Sequence, residues 1–214
     1  CFIGIIAGLG FAIKPFFCLS FALLEIYYLS HKRKWLAWLR PEVVALGSVI
    51  LTYLMVIWVF HQGYFNNVMP LALRLYYQGF AENWLSVCCL PGFVTVVICA
   101  ILYLVTRNYD THKKTTNIFF ICMIGFAIAY LVQRLNWYYH IYPAYGLALL
   151  LTLYFCKLLI QKRVVNRYAL LILVLIMPLM QTIICVQDIH FWYKNQVTLS
   201  EVIKKHAYQK PIYF

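Results

Sequence analysis

Negative charge is the scarcest commodity in this chain. Of 214 residues only six are Asp or Glu, against 18 Lys and Arg, and charged residues of both signs make up 11%. A soluble domain carries about a quarter charged residues, so a water-soluble globule is excluded. Paired carboxylates are missing too: Glu25, Glu42, Glu82 and Asp110 each stand without another acid as partner. No Ser-His-Asp order, HExxH, P-loop or GxGxxG occurs, which leaves soluble-type hydrolases, metalloproteases and nucleotide-binding enzymes without support. The eight cysteines (Cys1, Cys18, Cys88, Cys89, Cys99, Cys122, Cys156, Cys185) show neither CxxC nor Cys/His ligand spacing. Nearly all lie in apolar segments and read as small lipid- or helix-facing residues, with no metal site assigned.

What the chain has in abundance is apolar length: 64% of its residues are hydrophobic and 18% aromatic. In lipid every backbone polar group must be satisfied internally, and continuous apolar runs without alternation meet that demand as helices rather than a barrel. The expected fold class is all-α, a polytopic transmembrane helix bundle with six to seven membrane segments. A crossing needs about 20 residues, fewer where interfacial residues help. Residues 2–29 form the first apolar stretch, interrupted at Lys14-Pro15, and read either as one long kinked helix or as two short half-spanning ones. Further spans are expected at 43–60, 87–105, 117–133, 141–156 and 168–186. Residues 1–186 thus form the bundle, and 187–214 an external segment leading toward a soluble domain. The chain opens at Cys1 inside an apolar run, with no Met, basic n-region or cleavage site, and reads as a piece of a longer protein without a targeting peptide.

The formal charge of +12 falls in short clusters between apolar runs, a pattern of membrane topology rather than of a nucleic-acid surface. Loop 30–42 holds Lys32, Arg33, Lys34 and Arg40; loop 106–116 holds Arg107, Lys113 and Lys114; loop 157–167 holds Lys157, Lys162, Arg163 and Arg167. Loops 61–86 and 134–140 hold one Arg each, Arg74 and Arg134. The first three are expected on the cytoplasmic side, the other two and the stretch from Gln187 outside. Trp35, Trp38, Trp84, Trp137 and Trp192 fall near span ends, where amphipathic rings anchor at headgroups, and Trp58 falls within a span.

Three places offer chemistry. Lys14, in GLGFAIKPFF, follows a helical face with Gly4 and Gly8 spaced for close packing and directly precedes a Pro. A broken helix at membrane depth is tolerated where it is buried in protein or lines a cavity. There Lys14 would offer its charge to an anionic ligand, a phosphate above all; a lysine snorkelling to the interface is the plainer alternative. Residues 133–146 gather Arg134, Asn136, Tyr138, Tyr139, His140 and Tyr142, which suit a sugar ring and a phosphate or, more simply, an aromatic girdle. Pro143 is expected to keep Tyr142 extended. In the outer loop, residues 70–77 are amphipathic and read as a short interfacial helix with Leu71, Leu75 and Phe80 toward lipid and Arg74, Tyr77 and Glu82 toward water. Glu82 is the acid in an external loop and a candidate general base, although a surface acid is more often simply solvated. Glu25 lies near the cytoplasmic end of its helix, and Glu42 after Pro41 offsets a helix dipole.

These residues together point to a family. A Gly-rich helix running into AIKPFF, a helix ending in Glu25 and a basic loop, RPE opening the next span, and NWYYHIYPAYGLALLL further on resemble the multi-spanning GT-C glycosyltransferases that use polyprenyl-phosphate sugars. These are relatives of the protein mannosyltransferases and aminoarabinose transferases. The resemblance covers most of the chain. It implies transfer of a sugar from a lipid-phosphate donor to an acceptor at the outer, periplasmic or lumenal, face of a membrane, with a bacterial inner membrane expected. It implies that Lys14 approaches the lipid phosphate while Arg134, Tyr138 and His140 line the same outward-facing cavity; Arg74, on the aqueous side of the outer loop, is a further expected substrate contact. The family's catalytic carboxylate, in a first external loop, is expected upstream of this chain. Asn136 stands where the commoner pattern has a Gly before its Trp. The implied partners are membrane lipid and a polyprenyl-phosphate sugar, with no nucleotide, nucleic acid or certain cofactor. The rival readings are a transporter of an anionic or amphipathic substrate, for which broken helices are also typical, and a non-catalytic scaffold.

Overall fold

Pro41 and Glu42 open helix α3 as Pro and an acid should open a helix, with the missing N–H at an orphan position and a negative charge at the positive end of the dipole. The computed structural model places α3 at Pro41–Phe60, within two residues of the expected span. It describes residues 1–32, 35–74, 82–135, 138–162, 175–187, 189–190 and 193. The described residues hold helices and no strand: α1 (Phe2–Ile13), α2 (Cys18–Lys32), α3, α4 (Met69–Arg74), α5 (Trp84–Cys88), α6 (Pro91–Thr106), α7 (Lys113–Gln133) and α8 (Tyr138–Gln161). The chain divides into two compact units, Cys1–Arg167 and Tyr168–Phe214. In the second, a short apolar helix α9 (Leu175–Gln187) is described.

All-α architecture and membrane character are therefore as expected, but the count of spans is not. Three described helices, α3, α7 and α8, are long and apolar enough to cross a membrane, not six or seven. Helices rise about 1.5 Å per residue, so the 16 residues of α6 reach only about 24 Å of a hydrocarbon core of about 30 Å. Pro91 causes the shortening. It starts a new helix where a single span over 87–105 was expected, leaving α5 as a separate turn before it. Of the expected span 168–186, residues 168–174 lie outside the described residues, as does most of the segment 187–214.

The stretch 2–29 resolves into two helices. The backbone leaves helical geometry at Lys14, and a 3-10 turn (Pro15–Phe17) leads into α2. Gly4 lies against the backbone of Glu42, and Gly8 against Leu46 and Val49, so α1 runs in the same direction as α3. These are the glycines whose spacing anticipates close packing: small residues let two backbones approach where lipid offers no hydrophobic driving force between helices. Helix α2 returns antiparallel to α7, with Ser20 against Gly125 and Tyr27 beside Asn117. Glu25, expected near the end of its helix, lies in the middle of α2, which runs on to Lys32, and forms an ion pair with Arg40 at the start of α3. α1 and α2 thus form a V whose tip is Lys14, and both open ends lie with the start of α3. Lys32, Arg40, Lys113 and Lys114 gather at that basic end. The opposite end carries Lys14, Trp84, Arg134 and Tyr139 and is called the aromatic end.

The core is built from α6, α7 and α8. Cys99, Met123, Tyr130, Ile141, Ala144, Ala148 and Phe155 are buried in one cluster, and the Tyr130 hydroxyl donates to the Val87 carbonyl at 3.1 Å. Helix α3 is the opposite case. Leu46 alone of its residues is buried, while Leu51, Met55, Trp58 and Val59 are exposed, as lipid-facing residues are in a chain read without its bilayer. Trp58 lies within the span as expected, two residues from the helix end at Phe60. Cys1, Cys18, Cys88, Cys89, Cys99, Cys122 and Cys156 are free thiols.

The loop between α6 and α7 is pinned by a residue to which the sequence assigns no role. Asp110 is buried, and its Oδ1 accepts hydrogen bonds from the His112 amide at 2.7 Å and from the Tyr154 hydroxyl on α8 at 2.6 Å. The first is an Asx-turn, a side chain closing on the amide two residues ahead. Burial alone pushes the carboxyl up, but its hydrogen bonds, led by that from Tyr154, outweigh this and hold it below the usual carboxylate range. A depressed folded value means stabilisation that is complete above the unfolded value of about 3.9. It is lost as pH falls through the folded value. Thermal unfolding of the wild type should weaken steadily below about pH 4, and Asp110→Asn should flatten that part of the profile while lowering stability at neutral pH. An unchanged profile would refute the assignment.

Candidate functional site

The break that sets the tip of the V also makes a cavity. Pro15 has no N–H to give to the preceding turn, so the chain swings at Lys14 (φ −136°, ψ 78°) and the space under the tip is not filled by helix. A cavity of about 510 Å³ lies there, within the range of sites that hold a small molecule or a lipid headgroup. Its polar members are Lys14, Tyr64, Gln133, Tyr139 and His140, and the rest of its wall is apolar, with Ile13, Phe16, Met69, Leu73 and Leu135 among it. The Lys14 ammonium sits 4.5 Å from the Tyr139 ring centroid and 4.7 Å from that of Phe17. Rings at that range attract a cation, and among the described residues no carboxylate pairs with Lys14. His140 is buried beside Tyr139, the two ring centroids 4.1 Å apart.

Lys14 and His140, 126 positions apart in sequence, are therefore brought into one cavity. Tyr138 opens α8 next to them, and its side chain lies outside the described residues. Arg134 is placed differently from the expectation that it lines the same cavity. It closes α7 in the left-handed region at φ 50°. Its Nη2 donates to the Glu82 carbonyl at 3.0 Å, its own carbonyl accepts from the Glu82 amide at 2.9 Å, and its guanidinium lies 4.9 Å over the Trp84 ring. That is a latch holding the incoming segment of α5 to the end of α7. Its neighbour Leu135 is the residue that reaches the cavity wall.

Arg74 is exposed at the end of α4 and outside the cavity lining. The reason is helical phase: Met69, Ala72 and Leu73 share the face that meets the cavity, and residue 74 is turned about 100° from residue 73. Glu82 is exposed beside the Arg134 latch and likewise outside the lining. The expected interfacial helix over 70–77 is present in part, as α4 ending at Arg74 after a π-helical turn (Tyr64–Val68). Leu75, Tyr77, Phe80 and Asn136 lie outside the described residues.

Pro143 does not hold Tyr142 extended. Both lie inside α8, which begins at Tyr138, so the outer segment is shorter than 134–140. A proline six residues into a helix faces few established hydrogen bonds below it and is tolerated more easily than one at mid-helix. Sequence reasoning missed Tyr64, Met69, Leu73 and Gln133 as cavity residues. The signal available was weak, a Tyr-Phe pair and an amphipathic run in the loop after α3. No group of His, Cys, Asp and Glu suited to a metal ion occurs among the described residues. Comparison with known proteins returns no match, neither a family model nor a curated protein nor a solved structure.

Proposed function

We propose that this chain is the membrane-embedded part of a glycosyltransferase of the GT-C kind, which takes a sugar from a polyprenyl-phosphate carrier at the aromatic end of the bundle. The observation that carries the reading is the Lys14 cavity, a single cation without a carboxylate partner among the described residues, set in a mostly apolar wall. That combination complements a lipid phosphate, whose anion needs a cation and whose chain needs apolar surface. The sequence likeness in AIKPFF, RPE and NWYYHIYPAYG supports the same class.

In the reaction the acceptor oxygen bonds to the anomeric carbon and the carbon–oxygen bond to phosphate breaks, its electron pair leaving with the polyprenyl phosphate. Lys14 offsets the charge growing on that phosphate, the electrostatic contribution that dominates many such sites. The acceptor hydroxyl loses its proton to a carboxylate, which the family resemblance puts upstream of this chain; Glu82, exposed and outside the cavity lining, is the weaker candidate. Tyr139 and His140 offer an aromatic face and a polar group to the sugar.

The test is equilibrium binding of a radiolabelled polyprenyl phosphate to the whole chain in detergent, with the matching polyprenol as control. Phosphate-dependent binding, at least tenfold tighter than the alcohol, is expected, and equal binding of the two would remove the basis of the proposal. Sugar transfer from the lipid donor by the full-length protein separates an enzyme from a transporter, which would move the substrate unchanged.

The basic end is proposed to face the cytoplasm. In a cysteine-free background, single cysteines at Thr111 and Asn136 should differ in intact cells: an impermeant maleimide should reach position 136 and spare position 111. The converse labelling inverts the orientation.

A further inference from the structure

A second cavity, of about 710 Å³, lies at the basic end between the last turns of α2 and the first of α7. It has a chemistry that the Lys14 site does not need. Lys32, Lys113 and Lys114 line it, together with Arg40, Glu25 and His31. Arg40 is already committed. Its guanidinium is ion-paired with Glu25, lies 3.6 Å from a Glu42 oxygen, and stacks 4.0 Å over the Tyr28 ring. Glu25 is thereby spent as a counter-charge. The three lysines remain exposed, with no ion pair among the described residues. Lys113 and Lys114 occupy the first turn of the 21-residue α7, whose dipole places further positive charge at the same spot.

The charges are not the whole of the cavity. Tyr27, Tyr28 and Asn117 complete its lining with the apolar Leu24 and Ile118, which lie below the lysines toward the middle of the bundle, and Ile26 and Ile118 are exposed on the same two helices. A free anion would use the cationic rim alone. A molecule with an anionic head and an apolar tail uses both. Three cations without an ion pair among the described residues, between the end of α2 and the start of the candidate span α7 and above an apolar wall, form a site for a phospholipid headgroup. The Glu25–Arg40–Tyr28 stack holds the floor of that site in place before any ligand arrives.

We propose that this cavity binds the phosphate headgroup of an anionic phospholipid, with the acyl chains descending along Leu24 and Ile118. The site is at the opposite end of the bundle from Lys14 and independent of the function proposed there. It ties the V of α1 and α2 to α7 through a lipid bridging Lys32 and Lys113/Lys114.

The whole chain, reconstituted in bilayers of mixed phosphatidylglycerol and phosphatidylcholine, is extracted and its retained lipids counted by native mass spectrometry. Wild type should keep phosphatidylglycerol in preference to phosphatidylcholine. Each lysine near a membrane surface is worth about 1 kcal/mol toward an anionic lipid, or roughly fivefold, so Lys32→Gln/Lys113→Gln/Lys114→Gln should lose nearly all of the preference. The matching triple Arg variant should keep it, and so should Lys157→Gln/Lys162→Gln, which removes exposed lysines elsewhere. Equal retention of the two lipids by wild type overturns the proposal, as does an equal loss in the 157/162 variant, which would mean diffuse surface charge. Displacement of phosphatidylglycerol by millimolar inorganic phosphate would assign the cavity to a free anion and overturn it too.

Discussion

Lys14→Met should bind a polyprenyl phosphate about tenfold to a hundredfold more weakly than wild type, the loss expected when a charge-assisted hydrogen bond worth about 1.5–3 kcal/mol is removed. It should also abolish sugar transfer in the full-length protein, because removing one donor that stabilises developing negative charge costs about 10²–10³ in turnover. Methionine is chosen because it keeps the length and apolar stem of lysine and deletes the ammonium. The fold should survive. Lys14 holds no ion pair among the described residues, and its contacts with Phe17 and Tyr139 are ring faces on which a thioether packs as well. Lys14→Arg should retain most of the binding, since a guanidinium also pairs with phosphate. Thermal unfolding of each variant in the same detergent distinguishes lost charge from lost structure. A methionine variant that is stable and still binds with wild-type affinity would show that Lys14 only snorkels.

The second large effect is structural. Gly125→Leu should destabilise the bundle by about 1–3 kcal/mol or more, the range for overpacking a tight contact. Any Cβ at position 125 would run into the backbone of Ser20, whose own Cβ would lie only 2.9 Å away. Backbone cannot swing aside as a flexible side chain can, so α2 must lift from α7. The hydrogen bond from the Ser20 hydroxyl to the Cys122 carbonyl, 3.1 Å long, goes with it. Two readouts follow: a lower unfolding temperature, and faster alkylation of Cys122. Gly146→Leu is the control, because a Cβ there meets nothing within 4 Å and the leucine adds helix propensity on an exposed face. Equal stability of the two variants would mean that α2 does not pack on α7 through this glycine.

How much of this could be read beforehand depends on the residue. The ends of α3 were legible because Pro41, Glu42 and the polar His61 mark them chemically. The start of α7 lies four residues earlier than the expected span, since Lys113, Lys114 and two threonines form a polar first turn that hydropathy alone assigns to the loop. α8 extends past its expected bounds at both ends for the same reason, as its terminal turns carry polar and aromatic residues that a helix accepts once its middle is fixed. Lys14 was conspicuous as a charge before proline in an apolar run. His140 was legible beside it through the family resemblance, but Tyr64 and Gln133 were not, because they reach the cavity only through the register of other helical segments. Asp110 read as an ordinary loop acid, and only the approach of Tyr154 makes it a buried anchor.

Composition and spacing by themselves determined that this protein is helical and belongs in a membrane, that its first apolar stretch is interrupted at Lys14-Pro15, and that its basic residues cluster between apolar runs. Those properties follow from the solvent preference and backbone geometry of residues taken a few at a time. Only the tertiary structure decided that the first apolar stretch folds back as a V, that Arg134 latches a loop while Lys14 meets a cavity, and that three lysines from two segments share a second one. Each of these is a pairing between distant segments, set by which faces of the helices come together, and solvent preference along the chain carries no record of it.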